Sequence, residues 1–255
     1  MSDQMSYEKI WEELELPEFI NGKIEKDEAP VYLSDPVLII ETSRRFQDLY
    51  NTIVNARFNF ALSCADEYPH LLADNTKRNI LNIKGLFLNS AIIWYNNTFD
   101  HFLQTIWISY ELFLRKGVLN AITTENIDNI LATCTYANVV SLGAECVPES
   151  LMNVIKRLYG STCYRHIRSW ANIIKHRSCL EYTDMNKSEF VFVTLRCEDG
   201  QSVWDAFKSG INEEYNSLKV KQRRQVSIEE VSKHLLDYHG MLISAIRYLH
   251  ECLYE

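Results

Sequence analysis

The sequence contains few of the residues that interrupt regular structure. Its 255 residues include eight glycines and five prolines, and no proline follows Pro148. Long segments without either residue favour helices over an architecture rich in turns. Hydrophobic residues make up 47% of the chain, which excludes a disordered protein and is enough for a sizeable core. We therefore predict an all-α fold, a helical bundle of five or more helices.

The sequence also lacks the signatures of disulfide frameworks, zinc sites and membrane spans. Its seven cysteines are odd in number, widely spaced and without a C-x-x-C pair, which indicates reduced thiols in a cytoplasmic protein. The N-terminus shows no secretory signal. The most apolar helical segment, residues 86–114, carries a polar stripe that includes Asp100, His101 and Glu111. We therefore expect a soluble protein that does not enter a membrane.

Signatures of common enzyme sites are absent. No two glycines are close enough for a phosphate-binding loop, and neither H-E-x-x-H nor G-x-S-x-G occurs. Asp100, His101 and Gln104 could ligate a metal, but a polar stripe that faces solvent or a basic helix is the favoured interpretation. The histidines of the C-terminal segment show no ligand spacing: His234, His239 and His250. We therefore predict neither a metal nor a cofactor.

Charge and periodicity divide the chain into two parts. Residues 1–35 contain ten acidic residues against three lysines, which accounts for nearly all of the formal net charge of -8. We interpret them as an acidic lead-in, and residues 36–255 as one helical domain. Apolar residues at helical spacing predict helices over residues 6–16, 36–68, 75–116 (in one piece or in two around Gly85), 125–137, 149–159, 162–179 and from 227 to the C-terminus.

One stretch departs from the helical period. Residues 189–196 are rich in β-branched and aromatic side chains, and Asp199-Gly200 is a turn signal. We predict a strand or a small β-hairpin near residues 188–205, inside an insertion of about residues 186–226. Ser202 indicates the start of a further helix within that insertion. Ser227 with Glu230 resembles a capping box that opens the last helix.

The most function-like feature is a basic segment in this acidic chain. Residues 150–180 contain six lysines and arginines and no acidic residue. At 100° per residue, six polar side chains of the predicted helix 162–179 fall within an arc of about 120°: Arg165, Arg168, Ser169, Asn172, Lys175 and His176. Such a face suits a phosphate backbone, a nucleotide or an acidic partner. The alternative is a solvated amphipathic helix that happens to be basic.

The segment Arg168-Ser-Trp-Ala-Asn172-Ile-Ile-Lys175-His176-Arg177 resembles the characteristic helix of the HEPN superfamily. The likeness is greatest to the prokaryotic, abortive-infection-like members, in which N-x-x-K-H often appears. That family consists of compact helical bundles that commonly form dimers. Many members are metal-independent ribonucleases of antiviral defence or toxin-antitoxin systems. The likeness is specific over about ten residues and otherwise rests on helical architecture.

The resemblance implies roles for the residues of this segment. It makes Arg168 and His176 the catalytic pair of an endoribonuclease, in which an RNA 2′-hydroxyl attacks the adjacent phosphate. His176 would act as general base or acid, and Arg168 would stabilise the developing charge. Residues that would bind the RNA or nucleotide are Arg165, Asn172, Lys175 and Arg177. The implied partners are RNA, a second copy of the chain, and a cognate antitoxin or defence-system component.

The spacing of the implied pair departs from the family pattern. Seven residues separate Arg168 from His176, where four to six are usual, and Ser169 rather than Asn follows the arginine. In a continuous helix the two would lie about 12 Å apart along the axis. Two alternatives to an endoribonuclease therefore stay open. One is a catalytically inactive HEPN-like module that binds RNA, a nucleotide or a protein, and the other is a helical interaction protein.

Overall fold

The bounds of the helices and strands come from a computed structural model that describes residues 7–16, 33, 35–68, 71, 76–117, 122–123, 126–176, 180–184 and 225–254. Within these residues there are nine helices: α1 Tyr7–Glu13, α2 Pro36–Ser63, α3 Lys77–Ser109, α4 Leu112–Arg115, α5 Ile127–Ala132, α6 Tyr136–Gly143, α7 Glu149–Gly160, α8 Thr162–His176 and α9 Ile228–Tyr254. Two strands complete the fold: β1 Glu181–Tyr182 and β2 Gln225–Val226. This architecture confirms the predicted all-α bundle with a small strand element.

The long helices α2 and α3 form the centre of the bundle. They run antiparallel, because Lys84 contacts Asp66 near one end and the rings of Phe60 and Tyr95 meet further along. Helix α8 packs against α3, α7 and α9, so one side of it closes the core. No helix in the described residues is both long enough and apolar enough to cross a bilayer.

Side-chain and glycine caps explain where several helices begin or end. Ser161 Oγ accepts a hydrogen bond of 3.2 Å from the Tyr164 backbone N–H in the first turn of α8. Ser227 Oγ accepts one of 2.9 Å from the Glu230 N–H, which confirms the predicted start of α9. Gly117 has a φ of 71° just after α4, the left-handed conformation that ends many helices.

The predicted helix 75–116 is one piece around Gly85, which was one of the two alternatives, but it ends at Ser109. Glu111 has a φ of 52°, and residues Leu112–Arg115 form the separate helix α4. Helix α3 continues through Gly85, which is buried, so tertiary packing outweighs the cost of about 1 kcal/mol that glycine adds to a helix interior. The predicted helix 125–137 is instead the two short helices α5 and α6. The Thr135 side chain accepts a hydrogen bond from the Asn138 N–H and so starts α6 as a separate helix.

The predicted insertion begins and ends at a small parallel sheet. Glu181 pairs with Gln225, and Tyr182 pairs with Val226. The Tyr182 hydroxyl donates a hydrogen bond of 2.9 Å to Asn89 Oδ1 on α3, which fixes the sheet to the bundle. The strand or hairpin predicted near residues 188–205, and the helix predicted from Ser202, lie outside the described residues.

A buried histidine links three parts of the bundle. His239 on α9 is 2% exposed. Its Nε2 donates a hydrogen bond of 2.8 Å to the Glu15 carbonyl after α1, and its Nδ1 accepts one of 3.0 Å from the Tyr95 hydroxyl on α3. Burial is the main cause that lowers the pKa of His239 to about 4. The imidazole is therefore a neutral structural group.

Candidate functional site

Helix α8 separates buried and exposed side chains along its length. Ile167, Trp170 and Ala171 are fully buried against the bundle. The six polar residues that the sequence predicted on one arc are all exposed: Arg165, Arg168, Ser169, Asn172, Lys175 and His176. We name these six residues the basic face of α8. The predicted division of the helix is confirmed. Arg177 lies outside the described residues.

The three cations of the basic face are each held by a neutral oxygen. Arg168 Nη1 donates a hydrogen bond of 2.6 Å to the Tyr159 hydroxyl of α7, and this bond is the main cause that raises the pKa of the guanidinium. Lys175 Nζ donates one of 3.1 Å to Asn97 Oδ1 on α3. Arg165 Nη2 donates one of 3.3 Å to Thr162 Oγ1. These bonds orient the cations without neutralising them.

The nearest carboxylate belongs to the polar stripe of α3. Burial within the surrounding protein raises the pKa of Asp100, while the charges of Lys175, His101 and Arg168 oppose that rise. The Asp100 side chain is nevertheless exposed at the surface, so solvent limits the rise in its pKa. Together with the contact between Asn97 and Lys175, this confirms that the stripe lies beside a basic helix. Asp100 and His101 form no metal-ligand cluster with other described residues.

A shallow groove of about 450 Å³ runs along the C-terminal half of the basic face. Among the described residues it is lined by Ser169, Asn172, Ile173 and His176. A hydroxyl, an amide and an imidazole thus surround an open space beside an apolar side chain. These groups can donate and accept hydrogen bonds at phosphate oxygens, at ribose hydroxyls or at base edges.

The structure does not bring the implied catalytic pair together within one protomer. Helix α8 is continuous from Thr162 to His176. The eight-residue step from Arg168 to His176 therefore spans about 12 Å along the axis. Arg168 lies at the contact with α7, whereas His176 lies at the last residue of α8 and lines the groove. The two side chains thus lie about two turns apart on α8, with Arg168 held by Tyr159 and His176 in the groove.

A second cluster of potential ligand residues was not predicted from the sequence. His166 on α8 lies beside Glu230 and His234 on α9, and one potential ligand atom from each is within 4.8 Å of the others. The imidazole rings of His166 and His234 stack at 4.4 Å. The only sequence signal is the step of four residues from Glu230 to His234, which places both on one side of a helix. The prediction that His234 lacks ligand spacing considered histidines alone and missed this carboxylate.

Comparison of the chain with protein-family models, with curated proteins and with solved structures gives no match. The functional conclusions below therefore depend on the geometry of α8 and on the resemblance of its sequence.

Proposed function

We propose that this protein is a HEPN-like helical domain that binds RNA through the basic face of α8. The observation that carries the proposal is the hydrogen bonding of Arg165, Arg168 and Lys175 to neutral oxygens. No described carboxylate forms an ion pair with any of the three. Exposed, oriented cations that form no ion pair are suited to a phosphate backbone.

The distribution of charge along α8 favours a strand over a single phosphate. Arg165 and Lys175 lie ten residues apart, which is about 15 Å along the helix axis. Lys156 and Arg157 on α7 are exposed as well and add to the same basic segment. A set of cations spread over this length can contact successive phosphates, while Asn172 and His176 in the groove are available to a ribose or a base.

Endoribonuclease activity is the second candidate, and the exposure of His176 favours it. Its imidazole lines the groove together with Asn172, where it could accept the proton of a 2′-hydroxyl. Because Arg168 is about 12 Å away along the helix, the two side chains could act on one phosphate across a dimer interface. The requirement for a 2′-hydroxyl would make RNA, and not DNA, the substrate. The family chemistry needs no metal.

Incubation of the protein with a mixed RNA pool, with and without EDTA, tests both candidates. RNA binding without cleavage supports a binding module. Cleavage that persists in EDTA and is lost in both His176→Ala and Arg168→Ala supports the endoribonuclease. Cleavage retained in the double variant His176→Ala/Arg168→Ala dismisses this site as catalytic. Absence of any RNA binding contradicts the proposed function.

The resemblance also implies a cytoplasmic homodimer in a prokaryotic defence or toxin-antitoxin system, with a cognate antitoxin or defence partner. Large aromatic residues of the bundle give the dimer little further support, since Trp107 is fully buried in one protomer and Trp94 and Tyr110 are half-buried. We still expect a dimer that brings two copies of α8 together. Light scattering at micromolar concentration measures the oligomeric state directly. A monomer, or an interface far from His176, contradicts the expectation.

A further inference from the structure

The structure assigns a binding site for a zinc-class divalent cation to His166, Glu230 and His234, where α8 meets the first turns of α9. All three residues are half-buried, and one ligand atom from each is within 4.8 Å of the others. Two imidazoles and one carboxylate form a ligand set typical of Zn²⁺. Mg²⁺ and Ca²⁺ prefer sites made of oxygen atoms, so this donor set selects against them.

The geometry of the cluster is close to that of a bound site. Ligand bonds of about 2.0–2.1 Å in a tetrahedral arrangement place ligand atoms roughly 3.4 Å apart. Rotation of the Glu230 side chain and small shifts of the two rings close the remaining distance. Glu230 and His234 lie one turn apart on α9, so their helix presents both groups toward α8. His166 supplies the ligand from the facing helix.

His234 also has a ring nitrogen that is available to a ligand. His234 Nδ1 is fully buried and has no hydrogen-bond partner among the described residues. Buried polar atoms nearly always have a partner, because an unpaired one keeps the full cost of its desolvation. The His166 and His234 rings also stack at 4.4 Å with an angle of 19° between their planes, and Trp170 lies 5.3 Å and 5.7 Å from them. The two imidazoles thus lie side by side, and rotation of either ring out of the stack would let both bind one ion.

An ion at this site would join α8 to α9 and leave a coordination position open. Three protein ligands leave the fourth position of a tetrahedral zinc ion to water or to another small ligand. His166, Ser169 and Ile173 follow one another at helical spacing along the same side of α8. Because Ser169 and Ile173 line the groove, the ion would lie near its N-terminal end. The site does not depend on RNA binding.

The test is a zinc competition titration against a chromophoric chelator, using the reduced full-length protein after removal of metals. We expect one Zn²⁺ per chain, and binding weakened at least about tenfold, or about 1.4 kcal/mol, in Glu230→Gln and in His166→Asn. The matched control is Glu229→Gln, which removes the neighbouring exposed carboxylate on α9 and should bind zinc like the wild type. Circular dichroism verifies the fold of each variant. Glu230→Gln is a conservative change at a half-buried position, so this variant should fold. The test therefore remains decisive even if His166→Asn does not fold.

Two further measurements separate this site from adventitious binding by the cysteines. Zn²⁺ should raise the melting temperature of the wild type and of Glu229→Gln, but not that of Glu230→Gln. Mg²⁺ should not raise the melting temperature of any of the three proteins. Substitution with Co²⁺ should give the absorption of a nitrogen and oxygen site without a thiolate charge-transfer band. Zinc binding that is unchanged in Glu230→Gln, a thiolate band, or no saturable binding at micromolar concentration would overturn the assignment.

Discussion

Several cations elsewhere in the bundle contact carboxylates, whereas the cations of α8 contact neutral oxygens, as Arg57 and Lys116 also do. Arg45 lies 2.9 Å from Glu41, Arg115 lies 3.0 Å from Glu145, and Lys84 and Arg247 also contact carboxylates. Arg165, Arg168 and Lys175 contact only neutral oxygens in the described part of the chain. The chain has more acidic than basic residues, so uncompensated cations are not a consequence of composition. Three such cations along one helix are the feature on which the proposed binding of a negatively charged ligand rests.

The buried side of α8 should carry the largest effect on stability. Trp170 is fully buried, so Trp170→Ala should lower the free energy of unfolding by about 3–5 kcal/mol. Asn172→Ala, two residues away on the exposed side, should change it by less than about 0.5 kcal/mol. Chemical denaturation of both variants measures the contrast. Equal losses would show that the two sides of α8 are not separated as described.

The buried imidazole of His239 should make the stability of the fold depend on pH. The pKa of His239 is about 4 when folded and about 6.5 when unfolded, so between these values the unfolded chain binds more protons. The contribution of His239 to the free energy of unfolding is therefore complete above pH 6.5. It is lost as the pH falls toward 4, and the total loss is about 3 kcal/mol.

Unfolding free energies of the wild type and of His239→Gln, measured between pH 7 and 4, isolate this contribution. The variant should be less stable at neutral pH and should lose less stability on acidification. Parallel curves for the wild type and His239→Gln would contradict the buried neutral imidazole.

A smaller effect should follow from the loss of the Arg168 anchor. Tyr159→Phe removes the hydroxyl that accepts the 2.6 Å hydrogen bond but keeps the ring. Arg168 stays charged and loses its fixed orientation, so RNA affinity should fall by about 0.5–1.5 kcal/mol. Fluorescence anisotropy with a single-stranded RNA measures this affinity. Tyr136→Phe, a matched change in the ring that stacks on Tyr159 at 3.6 Å, should leave the affinity unchanged. Equal losses in both variants would show that ring packing, and not the hydrogen bond, is responsible.

The sequence predicted what depends on local pattern. The start of α8 at Thr162 and the exposure of its polar arc follow from amphipathic periodicity, and the cap at Ser227 follows from local chemistry. Local pattern did not decide whether α3 continues through Gly85, because that depends on burial against other helices.

The cluster of His166, Glu230 and His234 could not be predicted from local pattern. His166 lies 64 residues before Glu230 in the sequence, so only the packing of α8 against α9 brings the two together. The hydrogen bonds of Arg168 to Tyr159 and of Lys175 to Asn97 likewise cross between helices, over 9 and 78 residues of sequence. Periodicity places a side chain on a face but does not identify its partner on another helix.

The central claim is that the unpaired cations of α8 bind RNA phosphates, and the salt dependence of RNA affinity tests it most directly. The variant Arg165→Ala/Arg168→Ala/Lys175→Ala should bind more weakly, and the slope of log K against log salt concentration should become shallower by about 2, since each lost phosphate contact contributes about 0.7. The control Arg44→Ala/Arg115→Ala/Arg247→Ala removes the same charge from ion-paired, exposed positions and should keep the slope of the wild type. The same slope in both triple variants, or no RNA binding by the wild type, would contradict the account.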